Sequence, residues 1–162
     1  LRGMVTMTES YHLNEQRMTE HFDEIDPIVS GRLIGHKDTP AVEHVRAVLA
    51  MEEAQAAAEA ALQDWDVVIT PTTRQAALPV AEVDRDFETY VGWSTKFTNT
   101  NFGNVLKLCG VSVPCGFTGK GLPVGLQICA RAFREDLALR VAHAYEQATA
   151  WHETHPRMDW IR

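Results

Sequence analysis

Two short apolar runs separated by a cluster of glycines constrain this chain more than any other stretch. Val111-Ser112-Val113-Pro114 is followed by Gly116, Gly119 and Gly121 around Lys120, and then by Val124 to Cys129. β-Branched residues in short runs favour strands, and closely spaced glycines supply the backbone freedom of a turn. The pattern predicts a hairpin with a glycine-rich loop. A third run, Val67-Val68-Ile69-Thr70, has no alternation and reads as a strand buried on both faces, ended by Pro71.

Helical spacing covers most of the remainder. Met4, Met7, Tyr11, Met18 and Phe22 predict one helix that stops before Asp26-Pro27, since a residue preceding proline avoids the helical region. Ile28 to Ile34 reads as a short helix closed by Gly35. Asp38-Thr39-Pro40 is a helix start, and Val42, Val45, Leu49, Ala56 and Ala60 form an apolar stripe on a long packing helix reaching to Gln63. Thr72 to Glu88 is expected to be a long surface loop, with a helical turn over Phe87 to Trp93. The last helix begins near Glu135-Asp136, where acids suit the positive end of the helix dipole, with Leu137, Val141, Ala144 and Ala148 on its apolar face.

The fold class expected from this order is α/β, with helices packed around a few strands of a mixed sheet. Residues 1–162 read as a single partial domain, with 151–162 an irregular tail. Three short strands would leave open edges and bare faces, so the expectation is that the rest of the fold lies elsewhere. The chain begins at Leu1 without a charged and then apolar leader, and reads as a cut through a longer chain.

Twenty-two acids against 15 bases give a net charge of −7, which argues against a nucleic-acid partner. No apolar run is long enough to span a membrane. Cys109, Cys115 and Cys129 sit in apolar contexts and read as reduced, buried thiols of a cytoplasmic protein. His152 and His155 lack the spacing of a helical zinc pair, so no metal and no cofactor are expected. A thiol nucleophile at Cys115 would need a histidine beside it, and the nearest downstream is His143.

Asn104 stands ten residues before Pro114 in Pro-Cys-Gly, and Gly121-Leu-Pro-Val-Gly-Leu-Gln127 follows. In that order and spacing these segments resemble the C-terminal signature of the amidase signature family. Asp66-Val67-Val68-Ile69-Thr70-Pro71-Thr72 is similar to the family's strand and proline turn, and Asp26-Pro27-Ile28-Val29 with Arg32-Leu33 and Gly35 to its short helix. The resemblance covers most of residues 20–150. It implies an α/β/α fold, a Ser–cisSer–Lys triad and hydrolysis of carboxylic amides through an acyl-serine.

That triad has no match here. Ser10, Ser30, Ser94 and Ser112 lack a Gly/Ser-rich context, and Lys37, Lys96, Lys107 and Lys120 follow no matching motif. An activated serine needs a base within reach and donors for the oxyanion. The triad is therefore expected outside this chain, with no catalytic residue within it, and the isolated chain is expected to be inactive.

The resemblance gives this chain a wall of the substrate pocket, through Phe97, Thr98, Thr100 and Asn104, with Arg32 as a clamp for a carboxylate. Read without it, Asn104 caps a helix or ties a loop, Ser112 is a buried strand residue and Arg32 joins a surface ion pair. The amidotransferase branch also uses an acid near this stretch. Tyr90 to Leu108 contains none, which disfavours glutamine as the amide donor. The partners expected are a small-molecule amide, the N-terminal part of the same fold and further copies of the chain as a homo-oligomer. The alternative is a free-standing, non-catalytic binding or regulatory domain derived from the amidase fold.

Overall fold

The computed structural model describes residues 2–83, 86–97 and 99–156. The chain divides into two compact units, residues 1–58 with 78–96 and residues 59–77 with 97–162.

The first unit is helical. α1 (Arg2–Leu13), α2 (Glu15–Glu20) and a 3-10 turn (Phe22–Glu24) replace the single helix expected over Met4–Phe22, and α3 (Pro27–Ile34), with Gly35 at its end, is the short helix expected after it. The break has a local cause. Asn14 donates its backbone N–H to Tyr11 O at 3.1 Å and its Nδ2 to Ser10 O at 2.8 Å, so its side chain competes with the helical ladder. Tyr11, Met18 and Leu33 are buried together, with Met7 and Ile25 against them. Asp26 starts α3 by accepting from the N–H of Ile28 at 2.9 Å and of Val29 at 3.4 Å, with Pro27 in the first turn. α4 (Ala41–Ala61) follows the expected bounds, but Val42, Val45 and Leu49 are exposed and only Ala47 is buried among its described residues. Among the described residues the stripe therefore stays largely open. In place of an unbroken loop and a helical turn come α5 (Val80–Val83) and an eleven-residue α6 (Phe87–Phe97).

The second unit is built on β1 (Val68–Pro71), β2 (Cys109–Phe117) and β3 (Pro123–Ala130), with α7 (Asn101–Val105) before β2 and α8 (Glu135–Ala148) after β3. The hairpin is as expected. Among the described residues the sheet is wholly antiparallel, in the order β1-β3-β2, rather than mixed. Among the described residues β1 is an edge strand and not a doubly buried one, because β3 alone pairs with it there and Ile69 is left exposed.

Register makes the sheet two-faced. Ile69, Ile128 and Val111 form one cross-strand row, and Leu126 pairs with Val113 beside it. Residues directly opposite share a face, and alternate residues take the other. This apolar face packs on α8, where Val113, Ile128 and Ala142 are buried with Val141 and Tyr145 alongside. Ala130, Leu137 and Ala138 extend the same core. Ala144 and Ala148, expected on this face of α8, are exposed. Asp136 in the first turn of α8 is paired with Arg134 at 3.0 Å, and that hydrogen bond holds its carboxyl below the ordinary carboxylate value. Trp151–Glu153 form a further 3-10 turn, with Trp151 edge-on to Phe117 at 6.2 Å. Among the described residues no helix is long and apolar enough to cross a membrane.

Candidate functional site

The opposite face of the sheet carries polar side chains. Thr70, Gln127 and Ser112 are directly opposite one another across β1, β3 and β2. Thr72, just beyond β1, brings its hydroxyl to 2.6 Å from that of Ser112. Ser112 is exposed on this face, where the sequence had predicted a buried strand residue. The valines on either side of it face α8, and the alternation turns Ser112 the other way.

Several backbone features shape the ground above this face. The Thr72 N–H donates to Gly125 O at 2.9 Å and so continues β1 past Pro71. Asn99 Nδ2 donates to Pro71 O at 2.6 Å, which ties the segment before α7 to the end of β1. Lys107 adopts a left-handed φ of 54° after α7, and the chain turns there into β2. Glycine is required at position 125, since a Cβ there would lie 2.7 Å from Thr72 Oγ1 and 2.8 Å from Ser112 Oγ.

Between α7 and the sheet lies a cavity of about 230 Å³ lined by Thr72, Thr100, Asn104, Ser112, Gln127 and Cys129, with two glycines and the apolar Leu108 and Val111 completing its wall. None of its lining residues is charged. Gln127 is 6% exposed and donates Nε2 to Cys129 Sγ at 3.2 Å, while its Oε1 is buried without a hydrogen-bond partner. Thr70 Oγ1 is buried and unpartnered as well. Burial raises the Cys129 thiol above its ordinary value, against the opposing pull of the Gln127 hydrogen bond, so the group is held neutral.

The expected site residues distribute unevenly. Thr100 and Asn104 line the cavity. Asn104 lies within α7, where its Nδ2 reaches Thr100 O at 3.4 Å. Phe97 is buried at the end of α6, outside the cavity lining, and its carbonyl accepts from the Arg74 N–H at 3.2 Å. Arg32 is exposed on α3 in the first unit and has no ion pair among the described residues. Thr98 lies outside the described residues. Sequence reasoning missed Thr70, Thr72 and Gln127 as site residues and misplaced Ser112. The signal for two of them was present, as single polar residues within otherwise apolar strands. Among the described residues no three His, Cys, Asp or Glu side chains gather as metal donors.

Residues 9–139 match the family profile described as Amidase. The chain belongs to the amidase family. Curated relatives of this amidase-family chain include a glutamyl-tRNA(Gln) amidotransferase subunit from a Cyanothece species, 41% identical over 100 residues, or 62% of this chain and 20% of that protein. The corresponding subunit of Brevibacillus brevis is 44% identical over 61% of this chain and 19% of that protein. The chain thus spans about one fifth of the length of the curated relatives it matches. Among solved structures, 6-aminohexanoate cyclic dimer hydrolase complexed with substrate superimposes with a TM-score of 0.77 at 22% identity, over 95% of this chain and 34% of that one. Kluyveromyces lactis allophanate hydrolase gives 0.72 at 24% identity, over 84% of this chain and 22% of that one. At those identities the structures establish that the amidase-family fold is shared.

Proposed function

We propose that this chain is the C-terminal portion of an amidase signature hydrolase and forms one wall of its substrate pocket. A Ser–cisSer–Lys triad outside the chain would cleave the carboxylic amide through an acyl-serine and pass the acyl group to water, without metal or cofactor. The observation that carries the reading is the convergence of two signature segments on one cavity. Thr100 and Asn104 come from the first, and Ser112 and Gln127 from the hairpin. Phe97 would back this wall, and Thr98 and Arg32 would contact substrate once the rest of the fold is in place. The N-terminal part of the fold, a small-molecule amide and further copies of the chain are the partners in this reading, and the setting is cytoplasmic.

Hydrolysis is favoured over glutamine-dependent transfer, although the curated relatives are amidotransferase subunits. An amino-acid donor carries an ammonium group that needs an acid, and Tyr90 to Leu108 supplies none.

The test compares this chain with the product of the gene read upstream through any Gly/Ser-rich signature, on a panel of linear amides. The longer product should release ammonia or amine and the 162-residue chain should not. Turnover by the short chain alone would refute the triad's placement. A native product of 18.1 kDa with no turnover by any form would favour the binding-domain alternative.

A further inference from the structure

Phe133 is 90% exposed, more than any other large apolar side chain among the described residues. It also has a left-handed φ of 59°, which a bulky side chain adopts only under strain. Arg134 donates its N–H to Arg131 O at 3.1 Å, so Phe133 holds the third position of a four-residue turn between β3 and α8. A positive φ at that position calls for glycine or asparagine. An aromatic ring there bears the backbone strain and gains almost no burial within this chain.

The turn is held from both sides. Cys109 Sγ donates to Arg131 O at 2.9 Å, and Arg131 Nη1 meets Glu59 Oε1 at 3.2 Å. Arg134 grips both carboxylate oxygens of Asp136, at 3.0 and 3.2 Å, and Arg140 reaches the same carboxylate at 3.3 Å. The ring is therefore presented in a fixed place, and an anchor fixed beforehand loses little freedom on binding.

The surroundings of the ring are apolar with a charged margin. The Asp136 hydrogen bond raises the Arg134 guanidinium above its ordinary value, and the Asp66 carboxylate adds to the effect. Asp66 is thus within electrostatic reach of the turn, and Trp65 next to it is 65% exposed. Val67 packs against Ala130, the last residue of β3 before the turn. Further along β1, Ile69 stays exposed in the row that it shares with Ile128. Two exposed aromatic rings bordered by arginines and acids have the composition of a protein-contact centre with a polar rim.

We propose that Phe133, with Trp65 beside it, is a preformed anchor that docks into an apolar pocket on the portion of the amidase fold lying outside this chain. The inference rests on the reading of the chain as part of a larger amidase and adds the surface through which the two parts hold together. The superposition on the cyclic dimer hydrolase takes in 95% of this chain but 34% of that enzyme, so most of such an enzyme is available to cover the ring. A segment of the same enzyme covers it permanently. A transient partner would leave the ring bare and the strain uncompensated whenever it departed.

The test places Phe133→Gly in the 162-residue chain and in the longer gene product. Glycine suits the left-handed backbone and removes the ring. In the short chain the thermal midpoint should hold or rise, because little burial is lost. In the longer product it should fall by roughly 5 °C or more, because there the variant empties a filled pocket. A fall in the short chain, or failure of the variant to fold there, would show that the ring packs within this chain and overturn the proposal. An unchanged or raised midpoint in the longer product, or a native product that is no longer than this chain, would overturn it too. Self-association of the short chain that Phe133→Gly abolishes would give the anchor to a second copy and overturn the occupant named here. Turnover plays no part in these readings. The opposite responses without amide hydrolysis would sink the hydrolase reading alone, and hydrolysis with like responses would sink this inference alone.

Discussion

Thr72 and Ser112, forty positions apart in sequence, bring their hydroxyls to 2.6 Å directly over Gly125. The contact joins the end of β1 to the middle of β2 across β3, so both edge strands of the sheet meet over its central one. It exists because position 125 has no side chain.

Gly125→Ala should therefore destabilise the second unit. The new methyl would stand 3.2 Å from Thr72 Cβ as well as against both hydroxyls, and relief requires moving a β-branched side chain on an edge strand. Overpacking of this kind costs about 1–3 kcal/mol, which outweighs the modest gain from replacing a glycine in a strand. A lowered urea midpoint with an unchanged slope is the expected result. An unchanged midpoint would mean that the two hydroxyls separate freely.

Asp26→Ala should cost about 1 kcal/mol by removing the acceptor for the N–H groups of Ile28 and Val29 at the start of α3. Asp26→Asn keeps an acceptor oxygen and should recover most of the loss. Denaturant unfolding followed by circular dichroism reads both. A loss equal for the two variants would show that charge, and not the capping hydrogen bond, is what matters.

The same contrast between local and distant causes separates what the sequence revealed from what it concealed. The hairpin was legible because its strands, its glycine turn and its register lie within residues 109–130. The start of α3 was legible because Asp26 and Pro27 act on the next three residues. The exposure of Ile69 was not, since an apolar strand in the centre of a sheet and one at its edge share a local pattern and differ only in how many neighbours pair with them. The stripe on α4 announced a packing face, but whether anything covers it is decided outside the helix. Asn104, singled out by its motif, lines the cavity. Thr72 was missed because its role depends on Ser112, a contact that only register creates.

Cys129 gives an alkaline limb to the stability of the protein. Burial raises its pKa from the ordinary 9.0 in the folded state, so the folded chain keeps the proton where the unfolded chain loses it. The resulting stabilisation is complete below that ordinary value of 9.0 and is lost as the pH rises through the folded value. Urea midpoints of the native chain should fall more steeply above that pH than those of Cys129→Ala, whatever the offset between the two at neutral pH. Parallel curves would mean that the thiol ionises equally in both states.

Val42, Val45 and Leu49 lie on one face of α4 and are 54%, 52% and 53% exposed. Their i, i+3, i+7 spacing is that of a helix face that packs. If this face holds copies of the chain together, as the homo-oligomer reading requires, then Leu49→Glu should dissociate them. Its stability should change by no more than about 0.5 kcal/mol, because the side chain is about half exposed among the described residues. Sedimentation of the native chain should show a mass that rises with concentration, and that of Leu49→Glu should stay near 18.1 kDa. Concentration-independent monomers for both would remove the oligomer and leave the face for a different partner. Loss of secondary structure in Leu49→Glu would show that the face packs within the fold after all.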